Sequence, residues 1–133
     1  MRIGVPKEIK KNEKRVAATP DTVAKLKKMG FEVCIQSGAG AAANYPDEAY
    51  EAAGAILEAS TEAVWKNDLV LKVNPPQDLE SGDGHETELL KENGNLISFL
   101  WPAQNTDLVK SIAAKNVTSL GMESVPRISR AQN

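Results

Sequence analysis

Short apolar runs alternate with amphipathic ones along the chain, a pattern that predicts a sheet interleaved with helices. Arg2 to Val5 opens it as a strand in which Ile3 and Val5 share a face, ended by Pro6. Phe31, Val33 and Ile35 alternate with Glu32, Cys34 and Gln36, predicting a second strand with one better-buried face, near a sheet edge. Asp68 to Val73 is almost continuously apolar, as expected of a central strand covered on both faces. Asn95 to Trp101, ended by Pro102, and Val117 to Met122 complete a set of five. Thr19-Pro20-Asp21 is a strong helix start, with Val23, Leu26 and Met29 inward and a stop at Gly30. Further helices are predicted from Pro46 to about Ala53, around Thr61 to Lys66, from Glu86 to Asn93, and from Asn105 or Thr106 with Leu108, Val109, Ile112 and Ala113 inward. Lys7 to Arg15 is densely charged and reads as a poorly buried loop, and Gln77 to Glu86 as a mobile surface loop. With no tight hairpin signals, the expectation is an α/β fold: a mostly parallel sheet of five or more strands flanked by helices, in a Rossmann- or flavodoxin-like three-layer domain.

Composition narrows what such a domain can do. The 133 residues suffice for one domain, and an apolar fraction of 41% for a core. Sixteen basic residues nearly balance eighteen acidic ones, giving a net charge of -2 and no field to attract nucleic acid. An aromatic content of 5% argues against a base-stacking platform for single strands. No apolar run approaches the roughly 20 residues of a membrane span, and the amino terminus reads as a strand rather than a signal peptide. One cysteine, Cys34, and one histidine, His85, exclude an internal disulfide and a Cys/His zinc site, so no metal is expected and a reducing compartment is the default.

Several residues carry candidate chemistry. Gly38-Ala39-Gly40-Ala41-Ala42-Ala43 follows a strand and fits a dinucleotide fingerprint, with Glu58 about 20 residues on. Pro46 leaves no room for the long helix such a loop must feed, so a connecting turn is the stronger reading. His85 reads as a surface histidine and Cys34 as a packing residue. Arg15 precedes the apolar Val16-Ala17-Ala18 and is drawn against the domain body. Lys72 is a lone charge inside an apolar strand, costly to bury unless it reaches a carboxylate, a ligand anion or the strand's open end. Snorkelling to solvent is its equal alternative. Pro126 to Gln132 follows the last strand, where open α/β sheets place ligands, and its arginines, serine and glutamine suit phosphate or carboxamide.

The segments Met1 to Glu8, Arg15 to Pro20, Ser37 to Gly40, Leu71 to Asn74, Ser98 to Asn105 and Ser124 to Gln132 together resemble the amino-terminal part of domain I, the NAD-binding domain, of the α subunits of proton-translocating NAD(P) transhydrogenases. The resemblance covers essentially the whole chain and extends to alanine dehydrogenases. It implies that Arg127, Ile128, Ser129 and Gln132 bind NAD(H), with Gln132 also catalytic through its reach toward the NADP side. It implies further that NADP(H) sits on a separate domain, and that a Rossmann domain with the true glycine motif lies further along, making this chain a fragment whose isolated activity is not expected. The partners implied are the NADP-binding and membrane domains and a second copy of domain I, at the cytoplasmic face of a bacterial inner membrane. In alanine dehydrogenases the counterparts of Arg15 and Lys72 hold the substrate carboxylate and carbonyl, and the catalytic histidine corresponds to Trp101. Tryptophan cannot exchange a proton, which favours transhydrogenation. An alanine dehydrogenase-like oxidoreductase and a non-catalytic binding or dimerisation module are the alternatives.

Overall fold

In β1 (Arg2–Val5), Ile3 and Val5 point to one side of the sheet and Gly4 to the other, as strand periodicity requires. The computed structural model, which describes residues 1–124, continues with β2 (Glu32–Gln36), β3 (Ile56–Glu58), β4 (Leu69–Leu71), β5 (Asn95–Ser98) and β6 (Thr118–Gly121). All pair in parallel, in the order β3-β2-β1-β4-β5-β6. This is the order of doubly wound dinucleotide-binding sheets.

The helices are α1 (Pro20–Lys28), α2 (Asp47–Ala52), α3 (Thr61–Trp65) and α4 (Thr106–Ala114). Thr19 caps α1 by accepting from Thr22 N at 3.2 Å, with Pro20 in the first turn. Val23 of α1 and Tyr50 of α2 pack on Ile3, Val5, Val33 and Ile35, and the Tyr50 hydroxyl donates to Ala18 O at 2.8 Å. On the opposite face Trp65 of α3 and Ile112 of α4 pack with Val70, Leu96 and Leu100. The first of these faces is covered only over β1, β2 and β3. Beyond Leu69 and Leu71, Ile97 of β5 and Leu120 of β6, with Phe99 and Met122 just past those strands, meet no α-helix among the described residues and are half-buried or exposed.

Five expected elements shift. The sheet adds a strand not singled out in the sequence, β3, three residues long and too short to show alternation; it forms one edge, which leaves β2 near that edge as expected. The second strand lacks one preferred face, since Val33, Cys34 and Ile35 are all buried between the two helix layers. Met29 is not on the inward stripe: α1 ends at Lys28 and Met29, beyond it, is 70% exposed. The Asn95 to Trp101 run stops being a strand at Ser98, and Glu86–Leu89 forms a short 3-10 turn rather than a helix to Asn93. Within the Lys7 to Arg15 loop, Glu8 is buried.

Candidate functional site

The strand order reverses direction between β1 and β4, and such sheets open a crevice at the carboxyl ends of those two strands. Here the crevice is bridged by the chain itself. The Glu8 carboxylate, just beyond β1, accepts from Val73 N at 2.8 Å, Asn74 N at 3.1 Å and Lys72 Nζ at 2.9 Å. It fills the place where backbone N–H groups would meet a ligand anion. Lys72 Nζ has no solvent exposure and also lies 3.6 Å from Glu86 Oε1, which in turn accepts from Gln77 N at 2.8 Å. Burial pushes the Glu86 carboxyl up, against the pull of Lys72. The Asn74 side-chain amide links Glu8 to Glu13, donating to Glu13 Oε1 at 2.9 Å. Glu13 takes the Arg15 guanidinium in a two-pronged contact at 2.9 and 3.0 Å, and that pairing holds its carboxyl down at about 2. The Arg15 side chain is itself 67% exposed.

Beside this network the uncovered half of the sheet forms a cleft of about 410 Å³, lined by Arg15, Lys72, Val73, Ile97, Phe99 and Met122 among others. Phe99, one of the lining residues, stacks on the Trp101 ring with centroids 5.5 Å apart and planes 9° from parallel. Trp101 has φ +46°, a left-handed conformation that costs an L residue about 1–2 kcal/mol, and it precedes Pro102. The Glu123 carboxylate accepts from Leu100 N at 3.1 Å and Trp101 N at 2.9 Å, while Asn105 Nδ2 donates to Leu100 O at 2.9 Å. These contacts hold the turn.

Residues 4–133 match the family described as alanine dehydrogenase/PNT, N-terminal domain. The chain belongs to this family. It is 46% identical over 132 residues to the NAD(P) transhydrogenase subunit alpha of Haemophilus influenzae, across 99% of this chain and 24% of that one. An L-alanine dehydrogenase structure superposes with a TM-score of 0.87 at 33% identity, covering 98% of this chain and 34% of the other. A transhydrogenase from Sinorhizobium meliloti superposes at 0.86 and 34% identity, covering 99% and 38%. The chain thus spans a quarter to somewhat over a third of the length of these relatives.

Within this family member, Arg15 and Lys72 lie on one cleft, each held by a carboxylate. Lys72 does not snorkel; the carboxylates it needs are Glu8 and Glu86. Arg127, Ile128, Ser129 and Gln132 lie outside the described residues. The Gly38 to Ala43 segment follows β2, not β1, and enters a three-residue 3-10 turn. Gly38 N donates to Asp47 Oδ1 at 2.9 Å, and a Cβ on Gly40 would come within 2.6 Å of the Tyr50 ring, so the glycines serve packing there. His85 Nδ1 accepts from Thr87 N at 3.1 Å and caps the Glu86–Leu89 turn. Cys34 is buried, and burial pushes its thiol up, away from nucleophilic reactivity. Among the described residues no cluster of His, Cys, Asp and Glu is suited to a metal, and no helix is long and apolar enough to cross a membrane. Sequence reasoning did not single out Glu8, Glu13, Glu86 or Glu123. The one signal pointing to the first and third was Lys72 itself, a buried cation that demanded carboxylates.

Proposed function

We propose that the chain is the amino-terminal part of the NAD(H)-binding domain of a proton-translocating NAD(P) transhydrogenase. In this reading hydride passes from NADH, leaving NAD+, to NADP+ held by a separate domain, giving NADPH, coupled to proton movement through a membrane domain. The observation that carries it is the state of the cleft. Among the described residues lining it, the titratable side chains are Arg15 and Lys72, and both are already held by carboxylates. Interconverting an amino acid and a keto acid requires proton exchange. Hydride transfer between two nicotinamides needs only ring placement.

The make-up of the cleft supports the ring end of a dinucleotide over its phosphates. The crevice between β1 and β4 does not suit a phosphate, since the Glu8 carboxylate occupies its N–H donors. The apolar cleft and the Phe99–Trp101 stack suit a planar ring. Arg127, Ile128 and Ser129 are proposed to hold NAD(H) and Gln132 to reach toward the NADP side. The other proposed partners are a second copy of this domain and the enzyme's membrane portion at the cytoplasmic face of a bacterial inner membrane. The likeness to L-alanine dehydrogenase supports a second reading, an amino acid oxidoreductase with the exposed Arg15 guanidinium on a substrate carboxylate.

The two readings separate in one assay. The complete subunit, reconstituted with its partner domains, is expected to reduce a thio-analogue of NADP with NADH and to leave NAD unreduced in the presence of alanine. Alanine-dependent NAD reduction without transhydrogenation would reverse the choice.

A further inference from the structure

We infer that the outer face of the Trp101 indole is the stacking surface for the nicotinamide ring, an assignment that rests on the function proposed above. Trp101 is an anomaly on three independent counts. The residue is 47% exposed although Phe99, on which its ring stacks, lines an apolar cleft. One ring face is taken by Phe99, nearly parallel at 5.5 Å, and among the described residues no other aromatic ring stacks on the second face. Its backbone sits at φ +46° ahead of a proline, and Glu123 and Asn105 spend their side chains on holding it there. A tryptophan seeking only burial would need none of these supports. Strained residues over-determined by their neighbours gather where a ligand is clamped, and this one stands at the carboxyl end of β5, the ligand-binding edge of such sheets.

The chemistry selects which ring. Every aromatic ring can stack on an indole, but a cationic ring gains the attraction of its electron-rich face as well. The oxidised nicotinamide is such a ring, the reduced one is neutral, and adenine is the same in both forms of the dinucleotide. Among the described residues lining the cleft, both cations are already neutralised: Arg15 is paired with Glu13, and Lys72 lies between Glu8 and Glu86. The Trp101 platform therefore favours the oxidised over the reduced cofactor.

The test uses the complete subunit, with calorimetric titration of NAD+, NADH and AMP into wild type, Trp101→Leu and Trp101→Phe. Trp101→Leu is expected to weaken NAD+ binding about tenfold and NADH binding no more than about threefold, leaving AMP unchanged, with Trp101→Phe recovering most of the loss. Unchanged affinities, equal losses for NAD+ and NADH, or a loss for AMP would overturn the assignment. Wild-type protein that binds none of the three would instead overturn the dinucleotide reading on which it rests. Should Trp101→Leu fail to fold, the Trp101 emission, taken as wild type minus Trp101→Phe, decides the matter. Quenching by saturating NAD+ sustains the assignment and unaltered emission overturns it.

Discussion

Lys72 shows how one residue can organise a site. Its ammonium is removed from water entirely, a cost of several kcal/mol that only well-placed carboxylates offset. Lys72→Met should therefore destabilise the fold by about 3–5 kcal/mol, because Glu8 and Glu86 are left buried without their counter-charge. Glu86→Gln should cost much less, since burial already drives that carboxyl toward its neutral form. Urea denaturation of both variants checks the order, and equal stabilities would contradict it. Glu13 provides a pH signature. Its carboxyl is held at about 2, against an ordinary 4.5, so it takes up its proton at higher pH when unfolded than when folded. The stability it contributes is fully present above about pH 4.5 and lost as pH falls toward 2, roughly 1 kcal/mol once the exposure of Arg15 is allowed for. Glu13→Gln should flatten that part of the stability profile, and a profile unchanged from wild type would remove the link. With Gln132 in the role proposed above, Gln132→Asn in the complete enzyme should slow single-turnover hydride transfer more than it weakens NADH binding. That a buried cation directly after β4 needs partners was legible; that they are Glu8 and Glu86 was not, because Glu8 is 64 positions away and only the strand order brings it near.

At the scale of elements, close packing decides what periodicity leaves open. A Cβ on Gly4 would collide with Val64 O and with the Asn67 side chain, so α3 lies directly against the middle of β1. Gly4→Ala should force the helix outward and cost about 2 kcal/mol or more, measurable as a lowered denaturation midpoint. A variant as stable as wild type would mean that α3 is free to move. Helix starts were the most readable features, since Thr19-Pro20 acts through local geometry alone. The end of β5 was not readable: apolar residues run on to Trp101, but Ser98 closes the strand and its hydroxyl donates to Asn74 O at 2.9 Å. Hydrophobicity reports burial, not backbone direction, and the turn at Trp101 depends on Glu123, a residue from beyond β6.

For the whole molecule the decisive feature is asymmetry. Both faces of β1 and β2 are covered, whereas one face of β5 and β6 meets no helix among the described residues. Parallel sheets are ordinarily covered on both sides. The consequence is measurable in this chain: Leu120→Ser, at a position 48% exposed, should shift stability by no more than about 0.5 kcal/mol, while Leu96→Ala in the covered core should cost about 2–5 kcal/mol. Comparable losses from the two would show that the β6 face is packed in solution.

By itself the sequence determined the α/β class, the parallel sheet, most helix starts and the anomaly of Lys72, because these follow from periodicity, capping and the cost of burying charge, all local or compositional in origin. Tertiary structure alone decided the edge position of β3, the closure of the crevice by Glu8, the pairing of Arg15 and Lys72 on one cleft, and the strained, exposed setting of Trp101. Each of these depends on which distant segments the strand order makes neighbours, and contacts across tens of residues leave no periodic trace in the chain that makes them.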